Sequence, residues 1–322
     1  MYQVYDNWPK IAKDAYEKYT EITSFENINH IIFAGMGGSG SIGDIFLAIL
    51  SKKKIHVSVI KGYLLPKTVD KNTLLVITSI SGNTEETLTI LKTAKEMDCK
   101  IIAFSAGGKM EKYCKENNIE YKKIIKTNSP RASFSSFVFS MLKILKEIIP
   151  IEEKEVKEAI ENLKKLQKSI CSKNLTNDNP ALKIASWIKF IPIIYYPCGL
   201  QAAAIRFKSS LQENSKTHAM SEDVIEATHN GIVAWERKSL VQPILIEGYN
   251  DYYKTKERWE ILKEYFKDRS IEYKEIHSVE GGILSKLINL IYLLDFVTIY
   301  HSVINEVDPT PVISIDFIKS KL

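Results

Sequence analysis

Two short loops constrain this chain more than any other feature. Gly35-Met36-Gly37-Gly38-Ser39-Gly40-Ser41 closes the apolar run that starts at His30, and Ser79-Ile80-Ser81-Gly82-Asn83-Thr84 closes the run TLLVITSI. Each run has the length of a buried strand, and each loop leads into a stretch with helical spacing. Strand, tight turn and helix begin a βαβ unit, so the chain must build a parallel sheet with helices on both faces.

The same alternation runs along most of the sequence. Strands are expected at 30–35, 55–62, 73–80, 100–106 and 122–126, with helices at 8–22, 40–52, 84–97 and 109–117. Residues 134–168 read as one or two helices broken at Pro150. The alternation then resumes, with strands at 191–197, 240–247 and 271–276 and helices at 200–214, 252–268 and 283–305. Pro309 and Pro311 open a last helix carrying Lys319 and Lys321. At 322 residues the chain exceeds the usual size of one domain. The expected fold class is α/β, with two domains at 1–150 and 151–322, each a doubly wound parallel sheet. The second reads as a degenerate copy of the first, although no sequence repeat proves a duplication.

Composition excludes several function classes. The net charge is +5, but Lys and Arg alternate with Glu on helix faces such as 151–168 and 252–269, as on solvated surfaces. No basic arm with interleaved aromatics is present, which argues against nucleic acid as a partner. The start MYQVYDNWPK lacks the pattern of a signal peptide. The apolar stretch 287–304 is interrupted by Asn289, Asp295 and His301, so it reads as a core helix too polar for a bilayer. Cys99, Cys114, Cys171 and Cys198 form no CxxC pair, and suggest reduced thiols in a cytoplasmic protein. No metal-ligand spacing is visible, so neither a metal nor a cofactor is expected.

Gly35, Gly37 and Gly40 satisfy the GxGxxG spacing of a dinucleotide site. That site also needs a carboxylate about 20 residues on, at the end of the next strand, to hold a ribose. Here the second run ends in Lys61-Gly62-Tyr63. A lysine there can instead favour a 2′-phosphate. Yet four glycines and two serines in seven residues exceed what a bare turn needs. Exposed amides at a helix N-terminus, flanked by hydroxyls, suit a small phosphate. The second loop adds Ser79, Ser81 and Thr84, while Gly82 permits close backbone approach. Capping by Thr84 or Asn83 explains one hydroxyl, not three. Both loops close neighbouring parallel strands, so they converge on one crevice holding a phosphate monoester through Ser39, Ser79, Ser81 and Thr84.

The pair GMGGSGSIGD and SISGNTEET resembles the sugar isomerase (SIS) domain, whose serine-rich second loop grips a sugar phosphate. The whole chain is similar to the archaeal-type bifunctional phosphoglucose/phosphomannose isomerases. The resemblance rests further on Ser129-Pro130-Arg131, on the segment from Arg206 to Lys216 with its Glu213-Asn214-Ser215-Lys216, on His229-Asn230-Gly231 and on Asp308-Pro309-Thr310-Pro311. It implies two SIS-type domains, a small-molecule sugar phosphate as substrate with Gly37, Gly38 and Pro130 also against it, and a homodimer with His229 supplied across the interface. The sequence departs from the family at His218-Ala219-Met220, which leaves the shape of an expected loop open.

Interconverting an aldose and a ketose phosphate requires ring opening, a base that carries a proton between C1 and C2, and a donor for the enediolate oxygens. A carboxylate can serve both carbons in turn, and in this family setting Glu213 is the candidate. Histidine gives and takes protons near neutrality, which suits His229 for ring opening; on residue type alone His218 competes. Arg131, behind a proline, offers a permanent cation to the oxyanions. Lys319 in the last helix is a further candidate, toward the ring oxygen or O5. The expected activity is isomerisation of glucose 6-phosphate and mannose 6-phosphate to fructose 6-phosphate. Alternatives are another SIS sugar-phosphate isomerase, or a non-catalytic sugar-phosphate-binding regulator.

Overall fold

In the computed structural model, which describes residues 1–321, the apolar runs become strands β1 (His30–Ala34), β2 (His56–Ile60), β3 (Thr73–Ser79), β4 (Lys100–Ser105), β5 (Glu120–Lys123), β6 (Ile191–Tyr196), β7 (Met220–Asp223), β8 (Val241–Glu247) and β9 (Lys274–His277). Leu322, the end of the expected second domain, lies outside the described residues. All strand pairs are parallel. One sheet has the order β2-β1-β3-β4-β5 and the other β7-β6-β8-β9. The second sheet thus repeats the strand order of the first without its last strand, in keeping with the reading of a degenerate copy.

Continuous apolar runs, rather than alternating ones, follow from burial on both faces. Ile31 and Phe33 of β1 and Leu74 and Val76 of β3 point into a central core, which Ile194 of β6 and Ile244 of β8 also enter. Their neighbours Ile32, Ala34, Leu75 and Ile77 face a separate outer core. Tyr195 and Leu245 do the same on the second sheet. The inner faces of both sheets therefore share one core. Helix Ile283–Ile304 runs through it and packs on helices Gly37–Leu50, Glu153–Ile170, Pro180–Trp187 and Gln201–Asn214. Length and composition alone would let this helix cross a bilayer, contrary to the expectation that it is too polar; 89% of its most apolar window is nevertheless buried inside the protein.

Four elements depart from these expectations. Helix Trp8–Lys18 is preceded by a short helix, Tyr2–Asp6, and ends before the expected residue 22. β5 begins two residues before the expected run, at Glu120, because its register is set by pairing with β4. Helix Pro180–Trp187 was not foreseen; its signals are Pro180 in the first turn and Asn179, whose side chain accepts from the Leu182 amide. At His218-Ala219-Met220 the loop is short: His218 and Ala219 are irregular and Met220 already opens β7, an edge strand with no apolar run whose backbone pairs with β6.

Candidate active site

The order β2-β1-β3-β4-β5 reverses direction between β1 and β3, and open α/β sheets bind ligands in the crevice beyond those strand ends. Both loops meet there. Gly37 and Gly38 head helix Gly37–Leu50, with Gly37 at φ +51°, in the left-handed region that favours glycine. The Ser39 hydroxyl accepts from the Ile80 amide at 3.2 Å and so stitches the two loops together. Gly82 lies at φ +71°, and a Cβ there would stand 1.7 Å from the Gly107 carbonyl oxygen. Only glycine lets these two backbones touch. Asn83 accepts from the Lys109 amide, tying the second loop to helix Gly108–Glu116. Thr84 is the N-cap residue of helix Glu85–Lys95, yet its hydroxyl does not cap; it accepts from Ser79 at 3.0 Å.

A cavity of about 250 Å³ opens at this point. Of the eleven candidate residues, it brings together nine: Gly37, Gly38, Ser39, Ser81, Thr84, Pro130, Arg131, Glu213 and Lys319. Ser79 stays outside the lining. It is buried, and its hydroxyl also accepts from the Gly82 amide, so its visible work is to brace the loop. Helix Ile313–Lys319 lies across the opening, with Ile315 and Lys319 toward the cavity. Larger hollows of about 550 and 530 Å³ flank it on either side.

Arg131 and Glu213 reach the cavity from different halves of the chain. The Arg131 Nε lies 3.2 Å from Glu213 Oε2, with Arg131 buried and the Glu213 side chain 27% exposed. Arg131 Nη2 donates to the Thr310 carbonyl at 3.1 Å, while its Nη1 is buried without a protein partner. Glu213 ends helix Gln201–Asn214, whose other positions clamp it to helix Ile283–Ile304. Arg206 pairs with Asp295 at 2.6 Å, Ser210 donates to Asp295, and Asn214 donates to the Thr298 hydroxyl. Arg206 also donates to the Arg131 carbonyl and stacks on the Phe134 ring. The buried Arg206–Asp295 pair thereby holds both the cation and the carboxylate of the site. The sequence reading gave neither partner a role in the site, though an aspartate inside an otherwise apolar helix demands a buried partner.

Lys216, two residues past the helix, donates to the carbonyls of Glu213 and Pro311 at 2.7 and 2.9 Å. Burial, and then the nearby Arg131, lower its pKa. Lys61 is no reader of a 2′-phosphate, because its ammonium is paired with Asp44 at 2.6 Å.

His229 is not brought to the cavity of its own chain. It is exposed, in the turn after the short helix Val224–Ala227, and its amide donates to Glu226. His218 is exposed as well. The four cysteines are free thiols. Among the described residues one group of potential metal ligands does exist, contrary to the sequence reading: Glu247, Glu275 and His277, with donor atoms within 4.8 Å of one another. It arises where β8 and β9 run side by side, a proximity that linear spacing cannot show. The Lys263 ammonium lies 3.3 and 3.4 Å from its two carboxylates, so a cation already sits there, outside the cavity lining.

Two parallel sheets of one strand order, with a hydroxyl-lined crevice at the first, define the class of SIS-fold proteins. Residues 24–144 match the SIS domain, and residues 177–322 match the bacterial phospho-glucose isomerase C-terminal SIS domain. The chain is 31% identical to the bifunctional phosphoglucose/phosphomannose isomerase of Caldicellulosiruptor bescii, over 100% of this chain and 98% of that protein. It is 30% identical to the enzyme of the same name from Aquifex aeolicus, over 98% and 94%. In fold it resembles the C-terminal domain of glucosamine-fructose-6-phosphate aminotransferase from Francisella tularensis, with a TM-score of 0.72 at 17% identity over 95% of this chain and 96% of that one. The chain belongs to the bifunctional phosphoglucose/phosphomannose isomerase family.

Proposed function

We propose that this protein is a cytoplasmic, metal-independent isomerase that interconverts glucose 6-phosphate and mannose 6-phosphate with fructose 6-phosphate. The observation that carries this reading is the meeting of Arg131 and Glu213 in the cavity that the two hydroxyl loops form. The phosphate sits against the Gly37 and Gly38 amides and the Ser39, Ser81 and Thr84 hydroxyls. Glu213 removes the C2 proton of the open-chain aldose while the C1 carbonyl oxygen becomes an enediolate oxygen. The same carboxylic acid returns the proton to C1, and the hydroxyl proton of O2 passes to O1, leaving the C2 ketone. Arg131 donates to the oxyanions, with Nη1 available for that role. Lys319 approaches the ring oxygen. A coupled assay with each sugar phosphate tests the reading; absence of turnover with both overturns it.

His229 opens the ring from a second copy of the chain. Its exposure, and its absence from the lining of its own chain's cavity, favour a homodimer in which each copy completes the other's site. Mixing Glu213→Gln and His229→Ala chains then yields mixed dimers with one intact site, and about a quarter of parental activity after random reassociation. If His229 instead acts within its own chain, the mixture stays as inactive as its components.

A further inference from the structure

We propose that Lys216 is a positioning residue that latches the C-terminal segment, residues 308–319, over the site; this rests on the reading of Glu213 as proton carrier. Lys216 stands at φ +55°, the left-handed residue just past a helix end where glycine is usual. A lysine there carries a backbone cost that glycine would not. The side chain accounts for its presence. Its ammonium bridges the carbonyl of Glu213, on the helix that carries the base, and the carbonyl of Pro311, on the segment that crosses the cavity. Arg131 holds the preceding carbonyl, that of Thr310. Two cations of the site thus grip consecutive peptide groups. Beyond that grip the segment forms helix Ile313–Lys319, every residue of which is exposed, including Ile313, Phe317 and Ile318. The latch therefore sets where Ile315 and Lys319 stand over the phosphate loops.

Lys216→Gly separates this role from a structural one, since it removes the ammonium while relieving the backbone. In the full-length protein its melting temperature should equal or exceed the parent's. Amide exchange in peptides covering 306–321 should be at least several-fold faster, kcat about tenfold lower, and protection by inorganic phosphate unchanged. Lys216→Arg, which keeps a donor of similar reach, should restore slow exchange and most of the turnover. Unchanged exchange in 306–321 overturns the latch, and so does unchanged kcat despite faster exchange. Failure of the underlying reading looks different: full activity in Glu213→Gln with the exchange result intact.

Discussion

Glu213 Oε2 stands 3.2 Å from Arg131 Nε, although Arg131 lies in the turn before helix Phe134–Ile144 and Glu213 in helix Gln201–Asn214 of the other half of the chain. The guanidinium fixes the direction of the carboxylate and still has Nη1 without a protein partner. On the proposed mechanism, one cation therefore aims the base and receives the charge that the base creates.

Replacing Glu213 by Gln keeps the shape and removes the proton carrier. Both isomerisations should fall together, by roughly 10²–10⁴-fold, with phosphate binding nearly intact. The C2 stereochemistry vanishes in the shared enediolate, so one base serves both aldoses if the C2–C3 bond can rotate. Retention of full mannose 6-phosphate turnover alone would require a second base and refute the single-carboxylate scheme. Steady-state rates with each substrate decide it.

Ser81 and Ser79 should behave differently despite lying in one loop. Ser81 lines the cavity, so Ser81→Ala should weaken fructose 6-phosphate binding by about 1–3 kcal/mol. Ser79 is buried between the Gly82 amide and Thr84, so Ser79→Ala should lower stability by about 1–2 kcal/mol and disturb binding only through the loop. Calorimetric titration beside thermal unfolding separates the two, and equal binding losses without any stability loss in Ser79→Ala would contradict the assignment.

Asp295→Asn leaves the Arg206 guanidinium buried with no carboxylate, and should destabilise the protein by about 3–5 kcal/mol. Because Arg206 also holds the Arg131 carbonyl, activity should fall even at temperatures where the variant remains folded. Denaturant unfolding together with kcat/KM measures both.

His301 is buried in helix Ile283–Ile304, its Nδ1 without a partner, and burial lowers its pKa. The same cause, followed by the neighbouring His56, lowers that of His30. A histidine whose folded pKa is depressed binds its proton more readily when unfolded. Stability is therefore greatest above the ordinary histidine value of about 6.5 and is lost as pH falls through it toward the lower folded value. Melting temperatures between pH 8 and 5 should show this loss, and His301→Gln should flatten the slope. An unchanged slope in that variant would remove His301 from the account.

Features that a few neighbouring residues determine were legible in the sequence. The close backbone approach that requires Gly82 is written into the second loop itself, and nine of the candidate residues do converge, Ser79 remaining outside the lining. Continuous apolar runs revealed the central strands because both faces are covered. Features that depend on remote partners were not legible. Asp295 meets Arg206 across 89 positions, and Lys216 meets Pro311 across 95. β7 owes its existence to the β6 backbone rather than to its own Met-Ser-Glu-Asp. Lys216 stood in the segment that carried the family resemblance, but its work there needed the folded strap to become visible.

The repeated strand order divides labour between two copies of one architecture. The first copy keeps the hydroxyl-rich loops to which the proposed function assigns the phosphate. The second has Pro197-Cys198-Gly199-Leu200 and Gly248-Tyr249-Asn250-Asp251 at the matching strand ends, without serine or threonine, and its first helix contributes Glu213 from the far end instead. On the proposed mechanism, neither half would be a working unit when inherited or expressed alone: one would hold a ligand and leave it unreacted, and the other would present a reactive acid with nothing to retain the ligand beside it.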